Sequence, residues 1–281
     1  MKRLTSMAAA LGIALSPVPI AFAAPIGEAV ESRNDVTGQL GPVARDIDIG
    51  SDVSAEEVVT TGESSSTELR FLDNSNLNIG ASSTVILDRF VFDPERGSLD
   101  SAYDLTRGGL RFISGGVRTR NATIETPVGL IGIRGTRFGL ICNAIPACAA
   151  LTDEGAIRVC PVPVGTPITS ALREACLRGD TALLPCGFFD VTARDEQTSD
   201  NEGNFITFED NCVVNLQNLD PNVYRFLEQQ IASGAPLPDP AQLASFTPPN
   251  LFNTIGGIGT GAFMVIVPVS EELEDSDPVS P

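Results

Sequence analysis

The stretch TPVGLIGIRGTRF, residues 126–138, carries Gly129, Gly132 and Gly135 at a spacing of three residues. Glycine-rich loops beside a cation often bind phosphate through backbone N–H groups. Here the spacing is not that of a P-loop, no Lys-Ser/Thr pair follows, and no helical pattern begins there. We therefore interpret the stretch as a late strand of a β module, in which glycine permits bulges or the close approach of a neighbouring backbone.

Arg134, which precedes the third glycine, has two interpretations. Its guanidinium group could bind a carboxylate of a ligand or partner. It could instead form an internal ion pair or a contact with backbone carbonyls that fixes a turn. We favour the structural interpretation, because arginine commonly serves as a bidentate structural donor.

The residues before this stretch alternate between apolar and polar. The pattern is clear in ELRFLD (68–73), LNIG (77–80) and TVILDRFVF (84–92), with short polar breaks between them. GLRFISGGVRT (109–119) predicts a hairpin that turns at Gly115 and Gly116. Short alternating strands without long helical patterns between them indicate a sandwich, a roll or a solenoid.

The first 23 residues predict a secretory signal peptide. Lys2 and Arg3 precede an apolar stretch, and Ala21-Phe22-Ala23 fits the rule for cleavage after Ala23. Its removal changes the formal net charge from −18 to −18 − 2 = −20. The longest later apolar run, 261–269, is about half the length needed to span a bilayer.

Beyond residue 23 the chain contains no lysine and no histidine. The acidic balance argues against nucleic acid and anionic membranes as partners. The lack of histidine excludes Ser-His-Asp and Cys-His catalysis and most zinc sites. Acidic residues are so scattered that no catalytic carboxylate pair can be nominated.

The cysteines indicate disulfides, because their number is even and the protein is predicted to be exported. Six cysteines allow fifteen pairings, and sequence alone does not choose among them. Short separations favour Cys142–Cys148 and Cys176–Cys186, which leaves Cys160–Cys212. The disulfide candidates are Cys142, Cys148, Cys160, Cys176, Cys186 and Cys212.

Two helices are predicted in the C-terminal half. One lies within 167–180 and ends at Gly179, and the other runs from the capping Asp220 to Gly234. GFFDVTAR (187–194) and GNFITFED (203–210) predict strands. The predicted order is a signal peptide (1–23), a lead-in (24–45), a β domain (46–141), a cysteine-rich extension (142–216), a helix (217–234) and a tail (235–281) that contains a Pro-rich linker, a strand at 262–269 and acidic residues at 270–277.

The loop DEQTSDNE (195–202) joins the two C-terminal strands as an acidic hairpin connection. With Glu209 and Asp210 it brings six carboxylates together, a set that could hold calcium. The spacing matches no EF-hand, and we favour a solvated acidic loop.

Residues 47–141 resemble the FecR domain family. The resemblance rests on three segments in the family's order, within 47–94, LTRGGLRFISG (105–115) and IETPVGLIGIRGTRFGL (124–140). It implies an exported all-β module of Gram-negative bacteria, best known as the periplasmic part of iron-uptake signal transducers, which pass a signal from an outer-membrane receptor to a sigma factor. This chain is predicted to have a cleavable signal where those transducers have a cytoplasmic segment and a membrane helix. It therefore resembles the stand-alone exported subtype.

We therefore expect a mainly β fold, a FecR-type antiparallel sandwich or roll with a solenoid as the alternative, a cysteine-rich extension and one or two short helices. The expected function is that of an exported, non-enzymatic FecR-type binding module in envelope signalling or assembly. Its expected location is the periplasm or the outside of the cell, and its expected partner is an envelope or secreted protein. No catalytic residue, cofactor, metal site or nucleic-acid partner is predicted. The alternatives are a calcium- or polysaccharide-dependent surface protein and, last, an enzyme that acts through carboxylates.

Overall fold

The computed structural model describes residues 24–117, 119–143, 146–194 and 203–243. The predicted signal peptide, the acidic loop 195–202, the strand at 262–269 and the acidic tail lie outside these residues.

Within the described ranges, fifteen strands form one hydrogen-bonded sheet, and the fold is mainly β as predicted. The strands are β1 Pro25–Arg33, β2 Val36–Leu40, β3 Val43–Asp46, β4 Asp52–Ser54, β5 Glu57–Thr61, β6 Ser66–Phe71, β7 Asn76–Ile79, β8 Thr84–Asp93, β9 Ser98–Ile113, β10 Thr119–Thr126, β11 Gly129–Cys142, β12 Ala147–Pro161, β13 Phe189–Thr192, β14 Phe205–Glu209 and β15 Val213–Gln217. The helices are α1 Ser170–Arg178, α2 Pro221–Ser233 and α3 Pro240–Leu243.

The sheet is mixed, since β9 and β10 pair in parallel while the other named strands pair antiparallel. The predicted hairpin over 109–119 is therefore wrong: after Ile113 the chain returns to the start of β9, where Thr119 lies opposite Ser98. Gly115 is needed for close packing and not for a hairpin turn. A Cβ atom there would lie 2.8 Å from the backbone nitrogen of Ser75.

The parallel pairing requires a strong bend in β9. Six residue steps separate Ile113 from Thr119, so these Cα atoms are at most about 22 Å apart. Thr119 neighbours Ser98 at the other end of β9. A straight strand from Ser98 to Ile113 would span about 50 Å, so β9 must curve until its ends approach each other.

Glycines with positive φ lie where the long strands bend. Gly108 in β9 has φ 91°, Gly135 in β11 has φ 65° and Gly155 in β12 has φ 71°. The register between β11 and β12 shifts just after Arg134, as expected for a bulge. Each long strand therefore pairs with different neighbours before and after the bend, and β11 passes from β10 to β9.

The bent sheet encloses the main hydrophobic core. The rings of Phe71 on β6 and Phe90 on β8 stack with centroids 5.4 Å apart, and Tyr103 lies 5.3 Å from Phe71. In the sheet β6 and β8 are separated by β7 and β9, so a flat sheet would hold them about 14 Å apart. The rings meet because the sheet folds over, which buries Leu77, Ile79, Leu110 and Phe112 completely.

The lead-in predicted over 24–45 differs from the structure. These residues form β1 to β3, and β1 lies between β4 and β6 in the sheet. The alternation in β1 is broken by a register shift between Ala29 and Glu31, which hides the strand period in the sequence.

The cysteine-rich extension continues the same sheet. β12 pairs with β11 along its length, with β13 near one end and with β14 near the other. The strands β13 and β14 are confirmed, but among the described residues they do not pair as the predicted hairpin. Val191 of β13 instead forms an isolated parallel bridge with Gly203, which precedes β14. The additional edge strand β15 pairs with β14.

The two predicted helices are confirmed, with the predicted end residues Gly179, Asp220 and Gly234. Thr169 accepts a hydrogen bond from the Leu172 backbone at the start of α1, and Gly179 adopts the left-handed conformation at its end. Asp220 and Gly234 play the same roles for α2.

Helix α2 covers part of the outer face of the sheet. Val223, Tyr224 and Leu227 pack with sheet residues such as Phe205 in a second hydrophobic cluster. Its last turn also hydrogen-bonds to β6, because the Ser66 hydroxyl donates to the Ala232 carbonyl at 3.0 Å.

We predict that Gly108→Ala destabilises the protein by about 2–4 kcal/mol, because the residue has positive φ and a Cβ there would lie 2.5 Å from the Ser83 Cα atom. Gly116→Ala is the matched control, since a Cβ there meets nothing within 4 Å. Its effect should stay within about 0.5 kcal/mol. Urea unfolding of both variants measures the difference, and equal stability would contradict a bend fixed at Gly108.

Candidate binding groove beside the first helix

The parallel pair β9–β10 has one apolar face and one polar face. Asp100 lies opposite Asn121, Ala102 opposite Thr123, and Asp104 opposite Glu125. Successive side chains of a strand point to opposite faces, so these six residues share one face. The residues between them, such as Tyr103 and Ile124, are buried in the core. The outer face therefore offers a polar floor.

Helix α1 lies beside this floor. Leu172, Ala175 and Cys176 on one side of the helix are buried in a hydrophobic cluster with Leu130 and Cys160 of the sheet. A disulfide between Cys160 and Cys176 joins α1 to β12, with Cα atoms 6.0 Å apart. The helix is therefore fixed to the sheet by packing and by a covalent bond.

A cavity of about 330 Å³ separates the other side of α1 from the polar floor. We call it the α1 groove. Its lining contains three arginines and two acids, so it carries a formal charge of +1 in a chain of net charge −18. The lining residues are Arg89, Asp100, Asn121, Thr123, Ser170, Arg173, Glu174, Leu177 and Arg178.

Arg173 fastens the helix to the floor. Its Nε atom donates to Glu125 Oε1 at 2.5 Å, and its Nη2 atom lies 3.4 Å from Asp88 Oδ2. Burial raises the pKa of Glu125 above its ordinary value, against the opposing hydrogen bond and charge of Arg173. One guanidinium group therefore balances carboxylates from two strands.

Asp104 is the third carboxylate of this cluster. Burial, followed by the neighbouring charges of Glu125 and Asp88, raises its pKa from the ordinary 3.8 to about 6, although Arg173 opposes the shift. Its negative charge at neutral pH therefore destabilises the folded state.

The other two arginines of the groove make single ion pairs. Arg89 Nη2 lies 3.0 Å from Asp100 Oδ1, and Arg178 Nη2 lies 3.1 Å from Glu174 Oε2. Within the described residues, the buried Arg89 Nε and Thr123 Oγ1 atoms have no hydrogen-bond partner. These arginines thus retain donor capacity that Arg173 has used.

The glycine-rich stretch 126–138 forms part of the surface on which α1 packs. A Cβ atom at Gly132 would lie 3.1 Å from Leu177 Cδ2, and Arg134 Nη2 donates to the Leu177 carbonyl at 3.1 Å. Gly129 packs against the ring of Phe208, where a Cβ would lie 2.9 Å from a ring carbon. The positive φ of Gly135 accompanies the β11 bulge. Arg134 thus contacts the last turn of a helix and lies outside the groove lining.

Sequence reasoning did not nominate the residues of the groove. The available signal was polar side chains at alternate positions, 100 and 104 in one strand and 121, 123 and 125 in the next. Such a pattern ordinarily indicates a solvent-facing side. Only the position of α1 turns that side into a groove.

All six cysteines form disulfides. The predicted Cys142–Cys148 bond is confirmed, and the other two predicted pairings are wrong. The bonds are Cys160–Cys176 and Cys186–Cys212, with Cα distances of 6.0 and 5.4 Å. Tertiary packing of α1 on β12 overrides the short Cys176–Cys186 separation.

The parts of the chain that the structure describes contain no cluster of His, Cys, Asp or Glu suited to a metal ion. Of the six carboxylates considered for calcium, Asp210 accepts a hydrogen bond from the Val164 backbone at 2.9 Å. The four within 195–202 lie outside the described residues. The described part of the chain also contains no helix that is long and apolar enough to cross a membrane.

Comparison with known families identifies the strands in the middle of the chain. The family model for the FecR protein matches residues 57–158. This chain contains a FecR domain. It begins at β5 and includes most of β12, so it supplies the floor of the α1 groove. Helix α1 follows the FecR domain and belongs to the cysteine-rich extension.

Solved structures resemble this chain only distantly. Two crystal structures of a "putative anti-sigma factor" from Parabacteroides distasonis ATCC 8503, at 1.65 and 2.50 Å resolution, match with 8% identity and a TM-score of 0.37. The match covers 57% of this chain and 60% of theirs. No curated protein matches the chain.

We predict that Asp104→Asn stabilises the protein at pH 7 by on the order of 2 kcal/mol. Between pH 3.8 and about 6 the folded state holds the Asp104 proton more tightly than the unfolded state, so this residue's contribution falls as pH rises. The gain should therefore be small at pH 4 and largest above pH 6.

Urea unfolding at several pH values measures this effect. Asp46→Asn is the control, because it removes the same charge from an exposed position on β3. A gain that is equal at pH 4 and pH 7, or equal in the control, would contradict the role of Asp104.

Proposed function

We propose that this FecR-domain protein is an exported, non-enzymatic binding module that recognises a protein partner in envelope signalling, with the α1 groove as its contact site. The observation that carries the proposal is the covalent attachment of α1 to strand β12, beside the FecR-matched strands. The Cys160–Cys176 bond and the Arg173 contacts with Glu125 and Asp88 hold the groove open in the free protein. A preformed site avoids the ordering cost of binding.

The proposed location follows from the cysteines. All six form disulfides, and disulfides persist in oxidising compartments such as the periplasm or the extracellular medium. The bonds lie in and around the segment that carries α1, so oxidation and groove formation are coupled. This favours a protein that matures after export.

The chemistry of the groove supports binding over catalysis. Apart from Leu177, its lining consists of charged and hydroxyl or amide side chains around about 330 Å³, the lower end of the usual range for ligand pockets. This space suits one side chain or one chain end of a partner. The net charge of −18 also disfavours a polyanionic partner such as nucleic acid.

We predict that the protein recovered from the periplasm or medium of its Gram-negative host contains the Cys142–Cys148, Cys160–Cys176 and Cys186–Cys212 bonds. Cell fractionation with non-reducing peptide mapping tests this. Loss of the Cys160–Cys176 bond, in a Cys160→Ala and Cys176→Ala double variant, should cost about 3 kcal/mol. Recovery in the cytoplasm with free thiols would contradict the proposal.

Partner recognition is tested by quantitative pull-down from the same fractions. A protein captured by the wild type should be lost with Arg89→Gln and retained with Arg33→Gln, an exposed arginine on β1 outside the groove. Equal capture by both variants would exclude the α1 groove as the contact site.

A further inference from the structure

We infer that the α1 groove recognises a carboxylate group, which binds the guanidinium groups of Arg89 and Arg178. This inference rests on the proposed function and names the chemistry of the group that enters the groove. The carboxylate belongs either to a partner chain or to a free small acid, since both offer the same two oxygens.

Arg89 is the principal donor. Among the residues that the structure describes, its ion pair joins Nη2 to Asp100 at 3.0 Å, although a guanidinium group has five N–H donors. Its Nε atom is buried and has no partner among the described residues. Buried donors are normally satisfied, so an additional acceptor beside Arg89 is favourable.

Arg178 supplies a second cation from the helix. Its pair with Glu174 is exposed on both sides, with 67% and 64% of the side chains accessible. Exposed pairs of this kind contribute little, so Arg178 can exchange Glu174 for a ligand at small cost. Arg173 is different, because its guanidinium already holds Glu125 and Asp88.

Neutral groups complete the lining. Ser170, Asn121 and Thr123 place two hydroxyls and an amide around the same cavity, and Thr123 is 2% exposed with no partner for Oγ1 among the described residues. These groups can donate to a second ligand oxygen without adding charge.

The geometry and charge of the groove favour a carboxylate over a phosphate. Arg89 and Arg178 are paired singly with Asp100 and Glu174, whereas Arg173 is held by Glu125 and Asp88. A carboxylate matches the planar fork of arginine and adds one negative charge. A phosphate, with about −1.5 to −2 at pH 7, would leave an excess negative charge beside the two acids.

Titration calorimetry with the purified, oxidised full chain at constant ionic strength tests the inference. The probes are acetyl-tetraalanine with a free C-terminus, the same peptide as its amide, succinate, and inorganic phosphate. The free-acid peptide or succinate should bind, and Arg89→Gln should weaken that binding about tenfold or more. Arg178→Gln, which alters an exposed helix position, should weaken it by a smaller factor.

Arg33→Gln should leave the affinity within about twofold, because Arg33 lies outside the lining. Tighter binding of the free-acid peptide indicates a partner's chain end, and tighter binding of succinate indicates a small acid; both support the inference. Absence of carboxylate binding, equal binding of the amide or phosphate, or insensitivity to Arg89→Gln would overturn it. These measurements use purified protein and do not depend on export or partner capture. A negative result here would therefore overturn the carboxylate inference without deciding the proposed function.

Discussion

The bend of β9 at Gly108 is the constraint on which the architecture depends. The Ser83 hydroxyl accepts from the Gly109 backbone at 2.9 Å and contacts the Ala81 and Gly109 carbonyls at 3.0 and 3.2 Å, so the bend is held at its centre. Because β9 curves, its first half can pair with β8 and β10 and its second half with β7 and β11. A side chain at position 108 would collide with Ser83, which makes glycine the residue that fits.

The same bend creates the α1 groove. The chain returns to the start of β9 after the bend, so β10 pairs with β9 in parallel. The apolar residues of this pair face the core, and its polar residues face outward. Helix α1 then packs on the neighbouring strands, where Gly132 admits Leu177 and Arg134 contacts its carbonyl. The FecR domain supplies the floor and the cysteine-rich extension supplies the wall. Neither part forms the groove without the other.

Local patterns predicted much of the fold. Alternation identified β6 to β8, and capping residues located α1 and α2 to within a few residues. The prediction of a hairpin at Gly115-Gly116 was wrong. A glycine pair looks the same in the sequence whether it forms a turn or permits close packing, and here Gly115 permits close packing. Two disulfides were wrong because sequence separation does not measure distance in space: Cys160 and Cys176 meet only once α1 lies on β12.

The sequence by itself determined the strand-rich class, the helix caps, the FecR resemblance and the exclusion of histidine chemistry, because these depend on composition and short-range spacing. Tertiary structure decided the parallel pairing, two of the disulfides and the assembly of Arg89, Thr123 and Arg178 around one cavity. These residues come from three elements, and only the closure of long chain segments brings them together. The glycines of TPVGLIGIRGTRF (126–138) depend on both: the sequence predicts a structural role for them, and the fold shows that Gly132 admits Leu177 of α1, Gly129 admits the ring of Phe208 and Gly135 accompanies a bulge.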